Sequence, residues 1–497
     1  MDHKRLILRN TLSNIGMQVI VAGLPFLLLP YMLRYWGTDA YGILVLALSV
    51  QSFVFFLNAA IHLTLMKYVS EVYEVKDHER LNTIINIFRV VAFLNNLAVS
   101  LVLIGVGIFG LHWFNVPPVM LEMARNVLLI MGGCGIVAGL FSFIDGVMYG
   151  LQKIQQSNLF GVCEAILIAA TAVVVIYVNE TLATYVLAIS VFPIISRAGQ
   201  LVYLKRLLPE FRLDVRRYFD LQELRRLSKF SGYQILNQVS DTLMYNAHKL
   251  IIQKVMGPTS LTMYEIANKP NLLFQNFISL PLSAILPACS AAYARGDMAF
   301  LEKMLIMGSR IYLVLVLPGL FAFILLMRQF ITLWLGEDYL PAVPAAQLFL
   351  CALMISCPFK IFSHMMVGKG RVFEYGVTKF AYALLSVPVS IFAITRFGII
   401  GGVAVTFCYW ILVNIPTHLY VMWRENISAL HLLRNILPLL SILVIEYLLI
   451  SGALHLRPGS TWVELIGLMG LGVLSATLAA LFLILRKEER ALVGLKF

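Results

Sequence analysis

Residues 159–178 read LFGVCEAILIAATAVVVIYV, twenty residues that carry one charge, Glu164. A bilayer crossing needs about 20 mainly apolar residues at 1.5 Å of rise each, so this stretch is long enough to span and too apolar for a soluble surface. Working outward, stretches of the same kind recur between short polar breaks. They fall near residues 15–35, 41–65, 84–110, 123–150, 159–178, 182–203, 229–256, 261–290, 304–327, 342–365, 374–395, 398–422, 432–454 and 461–485. The expectation is an all-α integral membrane protein with about fourteen transmembrane helices. Composition agrees: 60% of the 497 residues are apolar, 13% are charged, and mean hydropathy is +0.85. Ordinary globular chains carry roughly 25% charge.

The charges that remain are placed unevenly. With the N-terminus in the cytoplasm and the spans alternating from there, inside segments hold 24 Lys and Arg and outside segments hold six. That bias follows the positive-inside rule and implies an even number of spans, with both termini cytoplasmic. It also accounts for the net charge of +12 without nucleic acid as a partner. The N-terminal run with His3, Lys4, Arg5 and Arg9 lacks a following small-residue cleavage site and reads as the start of the first helix. Cys134, Cys163, Cys289, Cys351, Cys357 and Cys408 all fall inside spans, without the paired spacing of a zinc site or disulfide framework.

The chain also matches itself. Residues 9–90 lie on 229–310 at a constant offset of 220, pairing Gly37 with Gly257, Ser70 with Ser290, Tyr73 with Tyr293, Asp77 with Asp297 and Leu81 with Leu301. Polar positions of the first helix in each half match in type: Thr11 with Ser231, Asn14 with Gln234, Gln18 with Gln238. A second stretch pairs Met148 with Met366, Gly150 with Gly368 and Lys153 with Arg371. Loops, glycines and polar sites staying in step point to a true repeat of two six-helix bundles in the same orientation, as in transporters built from parallel repeats. The expected division is a bundle over 1–203, a basic cytoplasmic linker over 204–228, a second bundle over 229–425, and two extra helices with a basic tail over 426–497.

Charges inside a membrane are costly and therefore candidates for function. The positive set within the spans is Arg89, Arg197, Lys249, Lys269, Arg310, Lys360, Lys379 and Arg434; the negative set is Asp145, Glu164, Asp241, Glu265 and Glu446. Several cations lie near helix ends, where snorkelling to lipid phosphates accounts for them. Spans seven and eight are more informative. At 100° per residue, Gln234, Asn237, Asp241 and His248 gather on one face of the seventh, with Lys249 to one side; Glu265, Asn268, Lys269, Asn276, Ser279 and Ser283 gather on the eighth. Such faces cannot look at lipid. Glu265 and Lys269 have the spacing of a local ion pair, and Pro270, Pro281 and Pro287 predict a bent eighth span. An enzyme is not expected: no HExxH, P-loop or GxSxG motif occurs, and the longest outside connection, near 328–341, holds only Glu337 and Asp338 as acids.

Five stretches together resemble a known family. They are LRYWGTDAYGILVLA at 33–47, KYVSEV at 67–72, GVMYGLQK at 146–153, LNQVSDTLMYNAHKLIIQKVMG at 236–257 and AAYARGD at 291–297. The chain is similar in these to the polysaccharide transporter branch, O-antigen flippase type, of the multidrug/oligosaccharidyl-lipid/polysaccharide exporter superfamily. The likeness covers residues 5–425. It departs from the family pattern in span seven, where an arginine often follows the aspartate; here Asp241 is followed by Asn246, His248 and Lys249.

The resemblance implies a flippase for an undecaprenyl-diphosphate-linked oligosaccharide in the bacterial inner membrane, serving lipopolysaccharide or other surface polysaccharide synthesis by alternating access. Membrane lipids, the lipid-linked glycan, a glycan polymerase and other assembly proteins are the implied partners. No cofactor is implied beyond H⁺ or Na⁺ coupling. On this reading Arg89, Lys249, Lys269 and Arg310 hold the diphosphate, Asn237, Gln238 and Asn276 contact sugar, and Asp241 or Glu265 binds the coupling ion. The two extra helices would form a groove for the lipid tail. The alternatives are a cation-coupled multidrug or small-solute antiporter on the same scaffold, a membrane glycosyltransferase or ligase, and an inactive scaffold of a glycan assembly complex.

Overall fold

The computed structural model describes residues 3–54, 56–279, 292–293, 295–369, 373–457 and 459–485, with 282, 285 and 289. Among these residues every regular element is helical. Ten segments, from Ser13–Phe53 to Trp462–Phe482, are long and apolar enough to cross a membrane. This is a multi-pass membrane protein. The tally differs from fourteen for local reasons. The first segment lies in α1 (His3–Val54), which is broken at Gly37, and another contains α16 (Phe373–Tyr409), broken at Gly398. Further, α9 (Leu221–Met256) and α10 (Pro258–Ser279) carry the polar faces expected of spans seven and eight and fall short on apolarity. Pro270 lies inside α10, whereas Pro281 and Pro287 lie outside the described residues.

Local geometry reproduces the offset of 220. Gly37 has φ 82 and ψ 169, and Gly257 has φ 85 and ψ −178. Only glycine takes that region without strain, so both positions make the same sharp exit from a helix. Thirty-nine residues on, Lys76 and Gly296 both have positive φ, and the next residue caps a helix. Asp77 accepts from the Arg80 amide at the start of α3 (His78–Gly105), and Asp297 accepts from the Phe300 amide at the start of α11 (Met298–Lys303). The two glycine turns also touch. Thr259 donates its hydroxyl to Asp39, Thr262 donates to the Thr38 carbonyl at 2.7 Å, and Gly42 lies so close to the Pro258 backbone that a Cβ would overlap it.

The chain forms two compact units, 1–262 with 383–395, and 263–382 with 396–497. In the first, α2 (Phe56–Glu74), α3, α4 (Leu121–Gly139), α5 (Ile144–Gly150), α6 (Ile154–Tyr177) and α7 (Leu182–Leu207) pack against one another and against α1, with α9 on α1 and α2. One apolar core joins α2, α3 and α5 with the end of α7, the connection after it and the start of α9, through Leu204, Leu208, Phe211 and Leu227. That connection, which includes α8 (Val215–Tyr218), is docked. The Asn82 amide donates to the Glu210 carbonyl at 3.0 Å and its carbonyl accepts from the Arg212 amide at 2.9 Å; buried Asn86 donates to the Arg212 carbonyl at 2.8 Å. His78 meets Glu210 at 2.6 Å and Arg80 meets Glu223 at 2.9 Å.

In the second unit, α12 (Ser309–Leu325) packs on α19 (Leu440–Leu456) and α20 (Trp462–Ala479). Between α12 and α19 in the chain come α13 (Met327–Trp334), α14 (Val343–Ser356), α15 (Lys360–Gly368), α16, whose residues 383–395 belong to the first unit, α17 (Ile415–Arg424) and α18 (Ala429–Ile436). Arg310, 4% exposed, spends its guanidinium on two backbone carbonyls, Asn435 at 2.5 Å and Ile484 at 2.7 Å. It thereby clasps α12 to the end of α18 and to the turn that follows α20.

Candidate functional site

The first unit holds two chambers that share one wall. One, of about 420 Å³, is lined by Met17, Leu24 and Leu28 of α1 and Gly161 and Ile168 of α6. The other, of about 620 Å³, is lined by Gln51 and Ser52 of α1, Asn58 of α2, Asn96 of α3, Ser142, Ser190 of α7, and Gln238 and Thr242 of α9. His62, Asp145, Glu164 and Arg197 line both. Four helices, α2, α5, α6 and α7, thus each place one ionisable side chain at the partition.

The partition is held from several sides. Arg197 donates from Nε to Asp145 Oδ2 at 2.9 Å and from Nη1 to the Pro193 carbonyl at 3.3 Å, with both side chains 28% exposed. The His62 and Tyr149 rings meet edge to face at 5.3 Å. Tyr149 donates to Asn158 Oδ1 at 3.0 Å, and the Asn158 amide donates to Asn14 at 2.7 Å and Ser13 at 3.0 Å. In the larger chamber Asn96 donates to the Ala92 carbonyl at 2.8 Å, to Ser142 Oγ at 3.1 Å and to Asn58 at 3.5 Å. Gly139 permits this: a Cβ there would come within 2.8 Å of the Asn96 Cβ.

Two carboxylates face one guanidinium, so with His62 neutral the partition has one formal negative charge in excess. Amides and hydroxyls around it match the donors and acceptors of a sugar. A diphosphate would meet repulsion from Asp145 and Glu164 before it reached Arg197. Among the described residues no group of three or more His, Cys, Asp or Glu stands at metal-ligand spacing.

Of the residues singled out from sequence, Gln238 lines the larger chamber. Asn237 lies on α9, its side chain outside the described set. Asp241 and Lys249 are half-buried on α9 and both engaged by neighbours. Glu265, 6% exposed, pairs with Lys269 at 3.2 Å, as the i,i+4 spacing predicts. Asn276 is exposed on α10, Arg89 is half-buried on α3, and Arg310 is the clasp described above. The Asp145–Arg197–Glu164 set was visible as three charges on successive spans. What periodicity could not show is that all three converge.

A family model described as "Polysaccharide biosynthesis protein" matches residues 7–292. The chain belongs to that family. The succinoglycan biosynthesis transport protein ExoT of Rhizobium meliloti is 22% identical over 425 residues, covering 82% of this chain and 79% of its own. The fold is that of the lipid II flippase MurJ in an inward closed conformation, with a TM-score of 0.70 at 12% identity over 96% of this chain and 98% of that one. It is also that of an inward-facing multidrug resistance MATE family transporter of the MOP superfamily, with a TM-score of 0.66 at 14% identity over 84% and 96%. The chain is therefore a multi-pass membrane protein of the polysaccharide biosynthesis family, with the fold that these two transporters share.

Proposed function

We propose that this protein flips a polyprenyl-diphosphate-linked oligosaccharide across a bacterial inner membrane, with both termini in the cytoplasm. The observation that carries this reading is the membrane-embedded chamber of about 620 Å³ with amides and hydroxyls in its lining, in a chain of a polysaccharide biosynthesis family. A sugar gives up many bonds to water on entering a membrane and needs such groups in exchange. The polyprenyl tail needs none and stays in lipid.

In this proposal Asn58, Asn96, Ser142 and Gln238 contact sugar, and Asn237 and Asn276 remain candidate sugar contacts. Arg89, Lys249 and Lys269 remain the diphosphate contacts, while Arg310, spent on carbonyls, acts as a staple instead of a cargo contact. Asp241 or Glu265 is one candidate for H⁺ or Na⁺ coupling. Asp145 and Glu164 are a second, because their excess negative charge attracts a cation. Alternating access then requires the contact between the two glycine turns to part in one state. That same charge favours a second reading, an antiporter for organic cations on this scaffold.

The test is flipping in liposomes by purified full-length protein, with a fluorescent undecaprenyl-diphosphate oligosaccharide. Wild type should expose the probe on the opposite leaflet, and Asn96→Leu should slow this at least tenfold. Cationic dyes moving under an ion gradient while the glycan stays put would replace the flippase reading with the antiporter.

A further inference from the structure

Glu164, the single charge of the stretch 159–178, stands on α6 in the wall that both chambers share, together with Asp145 of α5 and Arg197 of α7. An ionised carboxylate accepts hydrogen bonds and has none to give. Arg197 is already engaged, from Nε to Asp145 at 2.9 Å and from Nη1 to the Pro193 carbonyl at 3.3 Å. However its remaining N–H groups are shared, one guanidinium stands against two carboxylates. The described lining of the larger chamber holds no lysine and no second arginine to redress that count. Arg89, Lys249 and Lys269, the cations expected at the cargo, are not in it.

The rest of the larger chamber offers groups of the other kind. Asn58 takes the Asn96 amide on its carbonyl oxygen at 3.5 Å, while its own buried Nδ2 donates to nothing among the described residues. Gln51, Ser52, Ser190 and Gln238 add groups that both donate and accept. At about 620 Å³ the chamber falls within the range of roughly 300–1,000 Å³ usual for small-molecule sites. A guest must therefore give hydrogen to the carboxylates and accept it from an amide. A sugar hydroxyl does both, and an amino group on a sugar gives N–H to the carboxylates. The carboxylate of an acidic sugar can only accept, so it leaves Glu164 unmatched and meets two like charges. In a partly enclosed site salt screens that repulsion little. A built-in clash of this sort discriminates between ligands as effectively as a new attraction does.

We propose that Glu164 makes the larger chamber a charge filter for the glycan, admitting neutral and amino sugars and rejecting sugars that carry a carboxylate. This rests on the flippase reading and narrows it to a class of cargo. Glu164 acts here on equilibrium binding, apart from any role in ion coupling. Asp145, whose charge Arg197 offsets, is not the filter.

Full-length protein in nanodiscs would be titrated with three fluorescent undecaprenyl-diphosphate sugars that differ only in bearing glucose, glucosamine or glucuronic acid. The titrations run without an ion gradient at about pH 7.5, where an imidazole of ordinary pKa is largely neutral and His62 does not alter the count. Wild type should bind the glucose and glucosamine probes at least tenfold more tightly than the glucuronate probe. Glu164→Gln should shrink that ratio below about threefold, chiefly by tightening glucuronate. Arg197→Gln/Asp145→Asn removes one charge of each sign and should keep the ratio, because Glu164 remains. Matching thermal melts would show that the variants fold. A wild type that binds all three probes alike overturns the filter without recourse to any variant, and flipping of the glucose probe in liposomes then leaves the flippase reading intact. A Glu164→Gln protein weakened toward all three by one factor also overturns it, and loss of the ratio in the double variant overturns the assignment to Glu164. A wild type that neither binds nor flips any of the probes removes both proposals.

Discussion

Arg197 and Asp145 exchange a charged hydrogen bond at 2.9 Å in a partly enclosed wall, and each is the other's nearest compensation. Removing one partner leaves the other charge embedded and poorly solvated. Arg197→Gln should therefore lower stability by on the order of 2 kcal/mol, below the usual figure for a fully buried pair because both side chains retain some solvent. The double variant Arg197→Gln/Asp145→Asn, with no stranded charge, should recover most of that loss. Thermal melts of the four proteins in detergent form the cycle, and a double variant as unstable as the sum of the singles would refute the coupling. Glu164 was legible as a lone charge in an apolar run. That it meets Asp145 and Arg197, each also legible as a charge within a span, was not, since only packing selects which helices are neighbours.

Helices and turns carry the next level of specificity. Asn86 is fully buried, and its amide satisfies the Arg212 carbonyl and thereby pins the connection after α7. Asn86→Ala strands that carbonyl and should cost about 1–3 kcal/mol. The sign to look for is faster proteolysis within 210–226, with the spans unaffected; unchanged cleavage would mean that the apolar anchors Leu208 and Phe211 suffice. The paired glycine turns make a second element-level claim. Asp39→Cys with Thr259→Cys should cross-link readily, because the native side chains are hydrogen-bonded. Adding Gly42→Leu should abolish the cross-link, since the Pro258 backbone leaves no room for a side chain. If the turns must part during transport, the cross-linked protein should stop flipping and resume after reduction.

At the scale of the molecule, the two extra helices are tied to the second unit by Arg310 through carbonyls of residues 435 and 484, far apart in sequence. Arg310→Met keeps the volume and loses the donors, so both carbonyls lose their partner in a low-dielectric setting. The expected result is faster hydrogen exchange in α18 and at the end of α20, with α1–α7 unchanged. Exchange that rises evenly over the whole chain would refute a local clasp.

The all-helical membrane architecture, the matching of Gly37 with Gly257 and of Asp77 with Asp297, and the Glu265–Lys269 spacing were all legible in the sequence alone. Each is a short-range consequence of apolar length, of a glycine able to take positive φ, or of side chains one helical turn apart. Only the tertiary structure decided that Asp145 meets Arg197 across 52 residues, that Glu164 shares their wall, and that Arg310 faces backbone carbonyls. Periodicity says which face of a span is polar. Which polar face it meets depends on helix packing, and in a membrane that pairing decides whether a charge is a staple, a partition or a binding site.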